Sequence, residues 1–145
     1  MSRFEKIIEF AIDQEIKAAR RYERLADLVE NPRAREMLLR IKTMEEEHRK
    51  KLENLDISEF LNYTDKPIPD LHLSDEKDIQ SKLKDLTPED ILVMADDFEN
   101  DARELYLTLA DRVPVGSATR DLFLKLAEEE ARHKYDIESQ LKSGI

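Results

Sequence analysis

Four stretches of this chain place residues at alternating spacings of three and four positions, which keeps them on one face of a helix. These seams are Ile8, Ala11, Glu15, Ala18, Tyr22, Leu25 and Val29; Leu38, Ile41, Glu45, His48, Leu52 and Leu55; Leu92, Ala95, Glu99, Ala102, Tyr106, Leu109 and Val113; and Phe123, Leu126, Glu130, His133, Ile137 and Gln140. The seams are mainly apolar, but each carries a glutamate near its middle. We call the layer of the bundle in which these glutamates should meet the charged level. The seams predict four amphipathic helices that meet around this charged level.

The composition favours helices over a sandwich or a barrel. Only 2 glycines and 5 prolines occur in 145 residues, and aromatic residues make up 6%, whereas all-β folds need many turns. A chain of this length can bury one hydrophobic core. We therefore expect an all-α fold in which residues 1–145 form a single domain.

Helix-start signals divide the chain further. They are Ser2 with Glu5, Asn31 with Pro32, Thr87 with Pro88, and Ser117. They predict helices over residues 3–30, 32–55, 88–112 and 118–142. Short turns join the first helix to the second and the third to the fourth, so each pair should form an antiparallel hairpin.

The connection between the hairpins is about thirty residues long, with proline near its middle and a short helix expected near residues 75–85. It can cross the whole bundle, so the second and third helices need not be antiparallel neighbours. Its apolar residues, which predict packing on the bundle or on another subunit, are Phe60, Leu61, Tyr63, Ile68 and Leu71. His72 has no partner at ligand spacing and is interpreted as a loop residue.

The two hairpins look like copies of one unit. With a shift of 84 positions, the coinciding pairs are Ala11 and Ala95, Glu15 and Glu99, Tyr22 and Tyr106, Leu25 and Leu109, Ala26 and Ala110, and Asp27 and Asp111. With a shift of 85, they are Arg35 and Arg120, Leu39 and Leu124, Glu45 and Glu130, His48 and His133, and Glu53 and Glu138. Such copies should pack around a pseudo-twofold axis, with matching residues facing each other.

The polar seam residues predict a dimetal site; they are Glu15, Glu45, His48, Glu99, Glu130 and His133. With Glu at 19 of 145 positions, a Glu three residues before a given His arises by chance about one time in eight, but here two of the 3 histidines have it, both on a seam. Four buried carboxylates without counter-charge would cost many kcal/mol. Two divalent cations would supply that charge, with one neutral imidazole on each. Oxygen-rich ligands without sulfur suit Fe or Mn, while Zn can bind without redox activity.

The other glutamates of the two glutamate runs are expected to face solvent. Off the seams lie Glu46, Glu47, Glu128 and Glu129, interpreted as a solvated face, with a contact to the ligands considered for one of them. The net charge of -10 argues against nucleic acid and anionic membrane as partners, and the lack of Cys excludes a thiolate metal centre in these residues.

The sequence shows neither a signal peptide nor a stretch of 18 apolar residues. We expect a cytoplasmic protein that forms a homodimer.

These motifs resemble the ferritin-like di-iron carboxylate proteins, and the rubrerythrin branch most of all. The resemblance covers all four helices. It implies an up-down-down-up bundle with a long crossover, two Fe ions in the core, and redox chemistry with dioxygen or hydrogen peroxide. Tyr22 and Tyr106 are similar to the rubrerythrin tyrosines that hydrogen-bond to ligating carboxylates, although a core tyrosine can also simply pack.

One position departs from the resemblance. Rubrerythrins carry a further glutamate three residues after the one matched by Glu99, and this chain has Ala102 there. Whether peroxide or dioxygen is the oxidant therefore stays open. The leading hypothesis is an oxidoreductase that reduces one of them with electrons from a separate carrier protein such as a rubredoxin. One alternative is a ferroxidase or iron-storage protein. The other is a structural or interaction bundle in which the metal only stabilises the fold.

Overall fold

The computed structural model of the protein describes residues 3–56 and 87–143. These stretches contain α1 (Arg3–Leu28), α2 (Pro32–Glu53), α3 (Pro88–Ala110) and α4 (Ala118–Ser143), and no strand occurs in them. The all-α prediction is confirmed. The helices begin where the sequence predicted, and they end within two residues of the predicted positions, because helix termini are weakly defined.

Side-chain caps explain three of the helix starts. Asn31 accepts hydrogen bonds from the backbone N–H groups two and three residues further on, at 2.9 and 3.2 Å. Thr87 and Asp90 form a reciprocal capping box at the start of α3, with both bonds at 3.1 Å, and the Ser117 hydroxyl accepts from the backbone at the start of α4. These caps satisfy N–H groups that have no partner inside the helix. The predicted Ser2 cap lies outside the described residues.

The helices form a four-membered bundle. α1 packs on α2 and α3 packs on α4, and in addition α1 contacts α3 and α2 contacts α4. Tyr22 near the end of α1 contacts Glu99 of α3, whereas Tyr106 near the end of α3 contacts Glu15 of α1. This crossed pairing shows that α1 and α3 run antiparallel, as the up-down-down-up order requires.

The core consists of two apolar clusters with the charged level between them. One contains Phe4, Ile7, Ile8, Ala11, Leu52, Leu105, Tyr106, Leu109, Ala110, Val113, Phe123, Leu126 and Ala127. The other contains Tyr22, Leu25, Ala26, Val29, Ala34, Met37, Leu38, Ile41, Ile91, Leu92, Ala95, Phe98 and Ile137. All predicted seam positions are buried except Leu55, Ala102 and Gln140, which are partly buried. Helical periodicity therefore identified the inward faces correctly.

Several predictions concern the connection between the hairpins. The short helix near residues 75–85, the packing of the apolar connector residues and the loop position of His72 all lie outside the described residues. No helix within residues 3–56 and 87–143 combines the length and the apolarity that a membrane span needs.

Candidate metal centre

The structure brings the six predicted ligand residues together in the middle of the bundle. Each helix contributes from near its centre: one glutamate from α1, one from α3, and a Glu-x-x-His pair from both α2 and α4. None of the six is more than 3% exposed. Because Glu and His three residues apart lie on one helix face, α2 and α4 each present a carboxylate and an imidazole to the same space.

The first ligand set surrounds the Nδ1 atom of His48. This atom lies 2.9 Å from a carboxylate oxygen of Glu130, 3.6 Å from one of Glu15 and 3.9 Å from one of Glu45. One ligand atom from each of these four residues lies within 4.8 Å of the others. Such a group can enclose one metal ion.

The second set surrounds the Nδ1 atom of His133 in the same way. That atom lies 3.2 Å from Glu45, 3.5 Å from Glu99 and 3.9 Å from Glu130. Glu45 and Glu130 belong to both sets. The two imidazole rings are nearly parallel, with centroids 6.1 Å apart and planes 15° from each other. The arrangement therefore offers two adjacent groups of candidate metal ligands that share two glutamates.

The chemistry of the donor atoms fits metal ions better than a hydrogen-bond network. Each of the six residues has at least one buried oxygen or nitrogen without a hydrogen-bond partner in the structure. Buried polar groups are normally hydrogen-bonded, since leaving them unpaired costs free energy. Here the unpaired atoms converge on common points, which is what ligands of a metal ion do. Four carboxylates also balance the charge of two divalent cations.

The electrostatics of the cluster show how it can remain buried without metal. Burial raises the pKa of the Glu15 and Glu130 carboxyls well above the usual value, and neighbouring carboxylates add to this effect. Burial also acts to raise the pKa of Glu45, but the contact with His133 and other neighbours overcome it and hold this pKa at about 2. Burial acts to lower the pKa of His133, but Glu45 and Glu99 outweigh it and raise that pKa to about 10. In the metal-free protein, protons therefore supply the compensating charge.

Two tyrosines connect the hairpins at the cluster. Tyr22 donates a hydrogen bond to Glu99 at 2.5 Å, and Tyr106 donates one to Glu15. Burial raises the pKa of both phenols well above the usual value, and nearby carboxylates raise it further. Both tyrosines consequently keep their protons and act as donors, so they orient the two glutamates rather than only packing against them.

One of the four off-seam glutamates touches the cluster. Glu129 places a carboxylate oxygen 2.5 Å from Nε2 of His48. Glu47 and Glu128 are exposed, and Glu46 is partly buried beside Lys42, as expected for a solvated face. The sequence allows such a contact for one of these four residues but does not identify which one. Helical phase alone does not show how far a long side chain reaches across to the next helix.

A small cavity opens onto the cluster between α1 and α3. It has a volume of about 20 Å³, enough for about one water-sized molecule. The four glutamates of the cluster line it together with Tyr22, Tyr106 and Ala102. A glutamate in place of Ala102, which the resemblance described above would lead one to expect, would extend into this cavity.

The fold and the site together define a ferritin-like four-helix bundle with a buried carboxylate–histidine cluster. The Rubrerythrin family matches residues 4–76, half of the chain, and the chain belongs to this family. Comparison with curated proteins and with solved structures found no match. The matched stretch includes the first hairpin, and the internal repeat relates the second hairpin to it. Family and cluster together indicate a dimetal site.

Proposed function

We propose that this protein is a di-iron oxidoreductase that reduces hydrogen peroxide or dioxygen with electrons from a separate carrier protein. The proposal rests mainly on the two buried ligand sets that share two carboxylates. The proposed ligands are Glu15, Glu45, His48, Glu99, Glu130 and His133. The two shared glutamates of α2 and α4 would hold both ions, the glutamates of α1 and α3 would hold one ion each as terminal ligands, and each histidine would bind one ion.

The ligand chemistry is compatible with iron, which we propose as the native metal. Each set offers three carboxylates and one imidazole nitrogen and no sulfur, a combination that suits Fe or Mn. Zn can occupy the same ligands but has no redox chemistry. When bound, two ferrous ions supply the two electrons that cleave an O–O bond, and with two protons one hydrogen peroxide becomes two water molecules.

The cavity supports a small oxidant as the substrate. At about 20 Å³ it has room for a molecule the size of water, and hydrogen peroxide or dioxygen is only slightly larger. An organic substrate would need the bundle to open. Glutamates of both ligand sets line the cavity, so a molecule within it would lie beside residues proposed to hold each ion.

Tyr22 and Tyr106 support the proposal because they hold protons at the edge of this cavity. Both residues line the cavity, and their hydroxyl groups donate hydrogen bonds to the two proposed terminal glutamates. A phenol ordinarily keeps its proton at neutral pH, and in the metal-free protein burial raises the pKa of both hydroxyl groups further. They would therefore orient the terminal ligands and hold protons beside a bound oxidant, whose reduction to water consumes protons.

The electrons must come from a centre outside these residues. The chain contains no Cys, so a rubredoxin-type iron centre cannot form within it. A separate small carrier such as a rubredoxin is the proposed donor. We propose that the protein acts as a homodimer, in contrast to the large hollow assembly that iron storage requires.

Anaerobic reconstitution with ferrous iron tests the proposal, followed by rapid mixing with peroxide or with oxygenated buffer. We expect two irons per chain and fast loss of the ferrous signal with at least one oxidant. Glu130→Gln removes a shared carboxylate and should abolish binding of one or both ions. Glu128→Gln is the matched control, because it makes the same change in the same run of glutamates at a side chain that is 66% exposed.

Other results would favour the alternatives. Many irons per chain in a large hollow assembly would indicate iron storage and ferroxidase activity. Equal stabilisation by Zn and Fe, with no reaction toward either oxidant, would indicate a structural staple and would refute the proposed oxidoreductase. Identical iron binding by Glu130→Gln and the control would refute the ligand assignment.

A further inference from the structure

The internal repeat makes one asymmetry at the cluster conspicuous. The shift of 85 positions that relates His48 to His133 also relates Met44 to Glu129. Nε2 of His48 lies 2.5 Å from a carboxylate oxygen of Glu129, whereas Nε2 of His133 lies 3.3 Å from the sulfur of Met44. The same place in the repeat thus holds a charged acceptor on one side and a thioether on the other.

The contacts of the histidine Nδ1 atoms and of the terminal glutamates obey the repeat. Each histidine turns Nδ1 toward three carboxylates, and each terminal glutamate accepts a hydrogen bond from the tyrosine of the opposite hairpin. The ligand types of the two sets are also identical. The groups behind the two imidazoles are therefore the clearest source of a difference between the two ion positions.

The difference matters because of where the imidazole proton must be. If Nδ1 binds a cation, Nδ1 is unprotonated and the proton is on Nε2. In His48 this N–H donates to the Glu129 carboxylate, and such an outer hydrogen bond fixes the tautomer, holds the ring in place and makes the ligating nitrogen more basic. In His133 the same N–H meets a thioether sulfur, which is a weak, uncharged acceptor.

The Glu129 contact is also well placed to act on the metal position. The Glu129 side chain is only 14% exposed, and that of His48 only 1%. Water therefore competes little with this bond, and a charged hydrogen bond is stronger in such surroundings. Loss of a partner of this kind typically lowers metal affinity by about 10- to 100-fold.

We propose that the two ion positions are unequal, and that divalent metal fills the His48 position before the His133 position. Glu129 is the positioning residue that strengthens the first, and Met44 leaves the second without an equivalent. The inference rests on the proposed function only in taking the six residues as metal ligands. It adds an order of filling and identifies two residues outside the ligand set that determine it.

Zinc titration of the metal-free full-length protein tests this proposal, with calorimetry and NMR of protein labelled with 15N in the histidine rings. Only 3 histidines give signals, and single His→Gln variants assign them. We expect two binding steps whose affinities differ by about tenfold or more. At one equivalent of zinc, the ring nitrogens of His48 should shift while those of His133 remain at their metal-free positions.

Substitutions then separate this effect from a general structural role. Glu129→Gln should bring the two affinities together by weakening the first step about tenfold, and Glu128→Gln should leave both unchanged. Met44→Glu supplies the missing carboxylate and should strengthen the second step, a gain that structural damage would not produce. Combining Met44→Glu with Glu129→Met should reverse the order in which the histidine signals shift. Circular dichroism checks that each variant is folded.

The possible outcomes distinguish this inference from the proposed function. Two ions that bind with equal affinity, with both histidines shifting together, would overturn the inference and leave the dimetal site intact. An unchanged order in Glu129→Gln and in the double variant would also overturn it. Failure of wild-type protein to bind two ions would refute the ligand assignment itself.

Discussion

Metal removal should make the stability of this protein strongly dependent on pH. Without cations, His133 takes a proton between Glu45 and Glu99, which raises its pKa from 6.5 to about 10. A group whose pKa is higher in the folded protein than in the unfolded protein contributes its full stabilisation below the unfolded-state pKa. This contribution is lost as the pH rises through the folded-state pKa. The loss falls between about pH 6.5 and 10, and at about 1.4 kcal/mol per pH unit it amounts to roughly 5 kcal/mol.

The buried glutamates extend this trend to lower pH. Glu15 and Glu130 also have raised pKa values, so the fold favours their neutral forms and loses stability as pH rises above 4.5. Glu45 acts in the opposite direction, because its pKa is held at about 2 and its contribution is lost as pH falls from 4.5 toward that value. The metal-free protein should therefore be most stable in weak acid and much less stable at pH 9.

Urea unfolding followed by circular dichroism at pH 6, 8 and 9.5 measures this effect, with chelator-treated and metal-loaded samples compared at each pH. A loss of several kcal/mol is a large share of the stability of a domain, typically about 5–15 kcal/mol. The metal-loaded sample should change little, because bound cations replace the proton on His133. His133→Gln should reduce the slope of the metal-free curve above pH 6.5, because it removes the contribution of this imidazole. A flat curve for the metal-free wild type would refute this account of the cluster.

Three further substitutions test other parts of the account. Tyr106→Phe leaves Glu15 without its donor and should reduce the stability of the metal-free protein by about 1–3 kcal/mol; an unchanged urea midpoint would show that this bond contributes nothing. Ala102→Leu fills the cavity and should slow reaction of the ferrous protein with its oxidant while two metals still bind, so an unchanged rate would place the access route elsewhere. Thr87→Ala removes the cap of α3 and should lower the free energy of unfolding by about 1 kcal/mol without affecting metal binding.

The sequence predicted the inward faces of the helices and the cluster residues because both depend on periodicity. A residue such as Glu45 or His133 keeps its helical phase regardless of what it packs against, so local spacing places it on the seam. The caps at Asn31 and Thr87 were also predictable, because they involve residues two or three positions apart. The internal repeat then indicated which residues face each other across the bundle.

Contacts between helices were less accessible from the sequence. Glu129 and Glu128 are adjacent and chemically identical, and only the packing of α4 beside α2 brings one of them to His48. The importance of Met44 emerges only from its distance to His133. The cavity beside Ala102 likewise depends on how closely α1 and α3 approach, which no local pattern specifies.

The most direct test of the central claim is X-ray diffraction at the iron absorption edge from crystals of iron-loaded protein. The account predicts two anomalous peaks per chain, roughly 3.5–4 Å apart, one beside Nδ1 of His48 and the other beside Nδ1 of His133, with Glu45 and Glu130 between them. A single peak, or iron bound away from these residues, would contradict it.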